Sequence, residues 1–297
     1  MPPELTPALR RSRKLWRRIR SVAALLPPMA FQRLRHRLWH GTALPVSRPR
    51  TFTHHLFLKM ARDRHTLLTV TSDKLALRGY VEERLGPGHL PELYGALDAP
   101  DDLRAMELPS RYVVKATHGS GMTAVVTADD PAIRSAIVAR ARKWLACPYW
   151  RKNGEWGYRG VRPRLVVEEF LDAGDGAVPP DWKWLCFGGK AALVQVDFAR
   201  FTRHTRNFYH PDGTPVALRM YYPPGPDIPV PTTFERMRRL AERLAEDFAF
   251  VRVDLYALAG DRIVVGELTH YPTGGNKAFE PPEWDAKLGA LWPDRRI

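Results

Sequence analysis

The sequence predicts an α+β fold in which antiparallel hairpins alternate with amphipathic helices. Two stretches have the pattern of hairpins, because apolar residues alternate on both sides of a tight turn: residues 250–271 around Gly260-Asp261, and residues 181–198 around Gly188-Gly189. Apolar spacing typical of a helix is clearest at 232–248. Strands joined by short turns and packed against helices are typical of the α+β class.

The N-terminal segment, residues 1–45, is predicted to be basic and helical. The chain has a net charge of +14, yet residues 1–62 hold 14 Lys or Arg and one acidic residue, so the remaining body is nearly neutral. A neutral body argues against a nucleic-acid surface, and no specific nucleic acid is expected. Residues 8–26 have the pattern of a helix with one apolar stripe, formed by Leu15, Trp16, Ile19, Val22, Ala23 and Leu26. That helix either packs on the core or makes contact with an anionic membrane surface.

The composition favours the cytoplasm. The two cysteines, Cys147 and Cys186, lack metal-ligand spacing and fit a reducing compartment. The longest apolar run, residues 22–31, is interrupted by Pro27-Pro28 and is too short to span a bilayer. We therefore expect a cytoplasmic protein, either free or peripheral to the inner face of the membrane.

Apolar spacing and turn residues divide the rest of the chain into elements. In order, the sequence predicts helices at 51–63, 72–85 and 130–145, and strands at 111–116, 122–127 and 164–171. Ser72 or Asp73 is suited to cap the second helix, and Gly86-Pro87-Gly88 is suited to end it. The aromatic and irregular stretch 147–162 is predicted to be a mobile loop over the site.

The hairpin at 250–271 carries the strongest functional signal. A two-residue turn at Gly260-Asp261 places Asp254 opposite Glu267 and Arg252 opposite Thr269, all on one face, with Val253 opposite Leu268 on the core face. The two carboxylates then have Cβ atoms about 4.5–5.5 Å apart, which is unfavourable unless a cation neutralises them. Mg²⁺ held by carboxylates and substrate phosphates is one explanation. An ordinary ion-pair ladder with Arg252 is the other.

A second signal is the strand–turn–strand at 111–127. Lys115 lies near the end of the first strand, and the turn Thr117-His118-Gly119-Ser120-Gly121 follows it. A lysine supplies positive charge, and backbone N–H groups of a glycine-rich turn can approach phosphate oxygens closely. The spacing fits neither a Walker A loop nor a Rossmann fingerprint.

These segments together resemble the TupA-like branch of the ATP-grasp proteins, which is associated with teichuronopeptide and surface-polysaccharide synthesis. The resemblance covers roughly residues 45–290 and implies the ATP-grasp fold, two α+β subdomains that grip ATP between antiparallel sheets. We expect the domain at 46–297, with a phosphate-loop subdomain at about 109–170 and a metal-site subdomain at about 171–290. The matching stretches, in order, are RPRTFTHHLFLKM (48–60), SDKLALRGYVEERLG (72–86), LPSRYVVKATHGSG (108–121), LVVEEFL (165–171), DWKWLCFGGK (181–190), FVRVDLY (250–256) and GELTHYPTGG (266–275).

The resemblance implies a set of nucleotide-binding residues. Lys115 is similar to the strand lysine that contacts ATP phosphates, and Lys183 to a further phosphate-binding lysine. The loop that covers the phosphates corresponds to His118, Gly119, Ser120 and Gly121. The hinge that binds adenine and ribose corresponds to Glu168, Glu169, Phe170 and Leu171.

The resemblance also implies a metal site and a reaction. Asp254 and Glu267 match the two Mg²⁺ carboxylates, and Arg252 matches the arginine that stabilises the transition state together with Lys183. Thr269 stands where many ATP-grasp ligases have a metal-binding Asn. The family reaction is phosphorylation of a carboxylate by ATP, followed by attack of an amine. The acceptor is expected to be an anionic sugar or an amino acid, for which Arg78, Arg200 and Arg203 are candidate ligands if they are not simply paired at the surface.

Two other functions remain open at this point. One is a different enzyme of a polysaccharide locus, either a kinase that stops at phosphoryl transfer or a glycosyltransferase whose paired acidic residues hold a nucleotide-sugar metal. The other is a non-catalytic protein that docks on a membrane through its basic segment and carries a degenerate ATP-grasp fold.

Overall fold

Two antiparallel sheets and their covering helices form the molecule, for which a computed structural model describes residues 7–174 and 176–293. Residues 1–6 and 294–297 of the predicted segment and domain lie outside the described residues. The helices are α1 (Pro7–Ala23), α2 (Pro28–His40), α3 (Phe52–Arg62), α4 (Leu67–Ser72), α5 (Ala76–Leu85), α6 (Pro131–Leu145), α7 (Phe234–Ala245) and α8 (Glu283–Ala290). The strands are β1 (Leu93–Leu97), β2 (Tyr112–Ala116), β3 (Thr123–Val126), β4 (Leu165–Glu169), β5 (Asp181–Phe187), β6 (Lys190–Phe198), β7 (Thr205–Tyr209), β8 (Phe250–Ala257) and β9 (Ile263–Thr269).

The smaller sheet has the strand order β1-β4-β2-β3 and is covered by α6. Alternate residues of β2 (Tyr112, Val114 and Ala116) are buried against α6. The helix begins where predicted, because the Asp130 side chain accepts a hydrogen bond from Ile133 N at 2.7 Å. Strand β1 was not predicted, and it extends this sheet upstream of the boundary expected near residue 109.

The larger sheet has the order β7-β6-β5-β8-β9. One face packs on α7, with Val251, Val253 and Leu255 in the core as predicted. On the other face of β8, Phe250 packs on Phe52 of α3 with ring centroids 4.9 Å apart. Arg252, Asp254 and Tyr256 lie on the same face of β8. Asp254 and Tyr256 face the space between the two sheets.

The β8–β9 hairpin reaches the predicted pairing by a different route. Three residues, Ala259–Asp261, form the turn instead of the two predicted, and Leu258 N donates to Arg262 O at 2.9 Å. A one-residue shift would move every side chain to the opposite face. A bulge at Gly266 cancels the shift, so Asp254 pairs with Glu267 and Arg252 with Thr269, as predicted.

The helix predicted at 72–85 corresponds to α5, which starts later than predicted, and the helix before it, α4, was not predicted. Ser72 closes α4, and α5 begins only at Ala76. Asp73 lies between them, and its carboxylate accepts hydrogen bonds from Leu75 N (2.8 Å) and Ala76 N (3.4 Å), which is the capping function predicted for it. The break exposes the next residue, Lys74, to the space between the sheets.

The N-terminal segment packs as a helical pair. Trp16 and Ala23 of α1 are buried, and the Trp16 ring meets Phe31 of α2 with centroids 5.2 Å apart. The rest of the predicted stripe is not covered: Ile19 is half-buried, whereas Val22 is 71% exposed. No helix in the described ranges is long and apolar enough to cross a membrane.

Candidate active site

A cavity of about 200 Å³ lies between the two sheets. Its walls come from β2, β3 and the turn between them on one side, and from β8 and β9 on the other. One part is lined mainly by apolar residues, namely Val113, Val125, Phe170, Leu171, Val178 and Tyr256. Another part is lined by charged groups, namely Lys74, Lys115, Arg200, Asp254 and Glu267.

The charged groups of the β8–β9 hairpin form one hydrogen-bonded cluster. Arg252 donates two hydrogen bonds of 2.6 Å to the Asp254 carboxylate, and its Nη2 also donates to Thr269 Oγ1 at 3.0 Å. Thr269 Oγ1 in turn donates to Glu267 Oε1 at 3.1 Å. The arginine therefore offsets much of the repulsion between the two opposed carboxylates.

Glu267 is strongly held in its charged form. Burial opposes this, but the charges of Lys74, Arg252 and Lys183 outweigh it and lower the pKa of Glu267 to about 2. The carboxylate is therefore ionised at neutral pH, as a metal or phosphate-site carboxylate must be. Burial lowers the pKa of Lys74, whose ammonium group donates to Gly119 O at 2.6 Å.

Lys183 lies beneath the cavity rather than on its wall. Its side chain is 3% exposed, and its ammonium group bonds to Asp254 at 2.7 Å and to Asp181. Asp181 also pairs with Arg200, which does line the cavity. In this arrangement Lys183 holds Asp254 in position from the buried side, away from the cavity.

The phosphate-loop residues take different positions. Lys115, Ser120 and Gly121 line the cavity. His118 does not, because its Nε2 faces Trp144 O and Cys147 O at the end of α6 (3.1 and 3.2 Å) and its ring is buried. Gly119 packs closely against the Tyr149 ring, and a Cβ at this position would lie 2.6 Å from Cγ of Tyr149.

The predicted hinge is divided between ion pairs and lining residues. Glu168 is buried and accepts from Lys115 Nζ at 2.7 Å. Glu169 pairs with Arg262 through two bonds of 2.7 and 2.8 Å and also lines the cavity. Phe170 and Leu171 contribute to the apolar part of the cavity.

The three candidate acceptor arginines are not equivalent. Arg78 is held by Glu168 at 3.4 Å and by Pro91 O at 3.0 Å, so it is part of the ion-pair network. Arg200 lines the cavity, whereas Arg203 is exposed outside it.

A second cavity, of about 220 Å³, adjoins the first and shares Ser120 and Glu267 with it. Arg252 and Thr269 line this second cavity. Its other walls come from residues 149–158 and 271–274, which contribute Tyr149, Asn153, Glu155, Tyr158, Tyr271, Thr273 and Gly274. The stretch predicted as a mobile loop thus builds a wall, and two short 3₁₀ turns (Tyr149–Lys152 and Trp156–Tyr158) order it.

The family model for TupA-like ATP-grasp proteins matches residues 54–292. The chain belongs to the TupA-like ATP-grasp family. Its two sheets facing one cavity agree with the ATP-grasp fold expected from the sequence. No curated protein matches this TupA-like chain.

Solved ATP-grasp structures are similar to this TupA-like chain at low identity. An N5-carboxyaminoimidazole ribonucleotide synthetase in its ADP complex is 14% identical, with a TM-score of 0.43 over 69% of this chain and 46% of that one. The D-alanine–D-alanine ligase from Bacillus anthracis is 13% identical, with a TM-score of 0.40 over 68% and 56%. An L-amino acid ligase from Bacillus licheniformis is 12% identical, with a TM-score of 0.43 over 92% and 57%. The chain spans about half the length of these structures.

Sequence reasoning missed several lining residues of the first cavity in this TupA-like chain, among them Lys74 and Tyr256. Lys74 belonged to a quoted motif, but it was placed in the first turn of a helix and not in the segment between α4 and α5. Tyr256 follows Asp254 by two positions, so the period of two could have assigned it to the same face. The second cavity had no sequence signal, because residues far apart in the chain form it.

Proposed function

We propose that the chain is an ATP- and Mg²⁺-dependent ligase that activates a carboxylate as an acyl phosphate for attack by an amine. One observation carries the proposal: a single cavity has an apolar part suited to adenine and a part with two lysines and two carboxylates suited to metal-bound phosphates. Membership of the TupA-like ATP-grasp family supports it.

Asp254 and Glu267 would hold the magnesium. Within the described residues no three His, Cys, Asp or Glu side chains are grouped to hold a metal by themselves. Two carboxylates still fit Mg²⁺, because this ion usually binds one or two carboxylates and completes its shell with phosphates and water. When bound, the ion would neutralise charge on the nucleotide phosphates.

The remaining charged residues would position the reactants. Lys74 and Lys115 are directed into the cavity and would bind phosphate oxygens, while the Ser120-Gly121 backbone covers them. Lys183 keeps Asp254 in place from below. Arg252 lines the second cavity beside Glu267, which the two cavities share, and would stabilise charge on the transferred phosphoryl group.

The reaction follows from this arrangement. A carboxylate oxygen of the substrate attacks the γ-phosphorus, the bond from that phosphorus to the β–γ bridging oxygen breaks, and ADP leaves. The amine nitrogen then attacks the acyl carbon and loses a proton, and phosphate leaves with the C–O bonding electrons. Positioning and charge stabilisation would provide most of the acceleration.

Calorimetry of the full chain with a non-hydrolysable ATP analogue, with and without Mg²⁺, tests the proposal. We expect Mg²⁺ to tighten binding to the native chain but not to Glu267→Gln. Glu107→Gln, which alters an exposed carboxylate outside both cavities, should bind like the native chain. Equal Mg²⁺ dependence in Glu267→Gln and native chain would contradict the metal assignment.

Product analysis separates the ligase from the other enzymes. ADP, phosphate and a hydroxamate formed with added hydroxylamine identify an acyl phosphate. ADP with a stable phosphoester identifies a kinase, and release of UDP identifies a glycosyltransferase. We also propose a cytoplasmic role in cell-envelope or exopolysaccharide biosynthesis, because the TupA-like branch that the chain resembles is associated with it.

Peripheral membrane contact is a second candidate function of the N-terminal helices. Leu15, Val22 and Leu25 are 47%, 71% and 81% exposed beside the arginines of α1. Apolar side chains flanked by basic ones suit an anionic lipid surface. Cosedimentation with vesicles containing phosphatidylglycerol tests this. Binding that Val22→Ser and Leu25→Ser leave unchanged would contradict it.

A further inference from the structure

The second cavity contains a cation and an anion with free hydrogen-bonding capacity. Arg252 uses Nε and Nη2 for Asp254, Thr269 and Glu267. Its Nη1 makes no hydrogen bond within residues 7–174 and 176–293. Arg252 lines this cavity and a much smaller one beside Phe52 and Gln195, but not the first cavity, so its unused nitrogen can serve a ligand here and not in the first cavity.

Glu155 is the corresponding anion. It is 4% exposed, and Asn153 Nδ2 donates to its Oε1 at 2.7 Å. Its Oε2 accepts no hydrogen bond from any described residue, and no described cation lies within ion-pair distance. Burial raises the pKa of Glu155 to about 6, although Arg35 and Lys152 attract the carboxylate at longer range. A buried carboxylate with one unused oxygen needs a donor, and preferably a cation.

The charge of the cavity restricts the ligand further. Its charged lining consists of Arg252, Glu155 and Glu267, and Arg252 is already matched by Asp254. Lys74 and Lys183 attract Glu267 from outside this cavity, so Glu155 is the lining charge that a cationic group of the ligand would complete. The hydroxyl groups of Tyr149, Tyr158 and Tyr271 add polar contacts around a volume that suits a small molecule.

We propose that this second cavity binds an amino acid, with the carboxylate to be activated at Arg252 and the ammonium group at Glu155. The inference rests on the proposed function and names the substrate class for it. A sugar acid satisfies Arg252 equally well but provides no cation for Glu155. An amino acid provides both groups, and its carboxylate would lie beside Glu267, which the two cavities share.

The N-terminal helix α2 fixes these walls from behind. The Arg35 side chain donates to Gly274 O and, at 2.7 Å, to Asn276 Oδ1. Gln32 Nε2 donates to Asn153 O at 2.6 Å. Both wall segments of the cavity are therefore tied to a helix that precedes the family match.

Calorimetry of the full chain tests the proposal with the twenty common L-amino acids, D-alanine and D-glutamate. Each is titrated with and without the ATP analogue and Mg²⁺, and propionate, glutarate and glucuronate serve as carboxylates that lack the amine. We expect at least one amino acid to bind at least tenfold more tightly than these acids. Glu155→Gln should weaken that binding at least tenfold and leave nucleotide binding unchanged, while Glu107→Gln should change neither.

Each result decides a different question. If no amino acid binds, if glucuronate or a matched acid without the amine binds as tightly, or if Glu155→Gln binds normally, the proposal is overturned. The comparison of amino acids with amine-free acids uses the unaltered chain, so it decides even where the variant fails to fold. Amino-acid binding without nucleotide binding would retain this site and reject the ligase, whereas the reverse result would retain only the nucleotide site.

Discussion

Arg35→Met removes the contacts through which α2 braces the second cavity. Arg35 is 0% exposed and lies outside the stretch matched by the family model. Its guanidinium donates to Gly274 O, Asn276 Oδ1 (2.7 Å) and Gln32 Oε1 (3.1 Å). Methionine has a similar length and can fill the space, so the change tests the hydrogen bonds rather than the packing.

The structure sets the size of the effect. Gly274 O has no other described donor and is left buried without a partner, which costs about 1–3 kcal/mol. Asn276 and Gln32 lose one hydrogen bond each. Removal of the buried charge stabilises the variant and offsets part of the loss in the free energy of unfolding. We expect a net destabilisation of about 2–4 kcal/mol. At roughly 2–4 °C per kcal/mol for a chain of this size, the melting temperature should fall by about 4–16 °C.

Thermal unfolding followed by circular dichroism measures this shift, and urea unfolding gives the free energy. The control is Arg33→Met, an exposed position on the same helix. It should change the melting temperature by less than about 2 °C. If Arg35→Met melts like Arg33→Met, α2 does not brace the cavity and the reasoning fails.

Three further changes test the site. Lys74→Met should weaken binding of the ATP analogue about 10–100-fold by calorimetry, because a charge-assisted phosphate contact contributes about 1.5–3 kcal/mol. Gly119→Ala should destabilise the chain by about 1–3 kcal/mol in urea, because the new methyl group would meet the Tyr149 ring. Glu155→Gln should alter the pH dependence of stability. Since burial raises the folded-state pKa of Glu155 to about 6 from about 4.5, its contribution is present below pH 4.5 and is lost as the pH rises through 6. The variant should therefore gain about 1.2 kcal/mol relative to the native chain between pH 5 and 7.5.

Each of these expectations has a contradicting result. Normal nucleotide affinity in Lys74→Met would remove this lysine from the phosphate site. A Gly119→Ala chain as stable as the native one would show that the Tyr149 ring moves freely. If the free energy of unfolding depends on pH in the same way in the native chain and in Glu155→Gln, burial does not raise the pKa of the Glu155 carboxyl group.

The sequence predicted much of the fold because its signals are local. Alternation with period two placed Arg252, Asp254, Glu267 and Thr269 on one face, although the turn length was wrong and a bulge at Gly266 restored the pairing. The Gly188-Gly189 hairpin and the helix capped by Asp130 follow the same kind of local rule. The local rules predicted individual elements, and the family motifs predicted the ATP-grasp fold that joins them.

The tertiary structure decided which groups meet. His118 belongs to the phosphate loop in sequence, yet its ring faces the end of α6. The period of two along β5 gives the face on which Lys183 lies. Only the tertiary structure shows that its ammonium group is buried in ion pairs with Asp181 and Asp254.

The sequence by itself determined most of the elements around the first cavity, the facing carboxylates and the family. Only the tertiary structure determined the second cavity, where Glu155 and Arg252, about a hundred positions apart in the chain, line the same space and α2 supports the walls. The physical reason is range. Periodicity and turn chemistry depend on neighbouring residues, whereas burial, charge balance and unused hydrogen-bonding groups depend on contacts between distant segments.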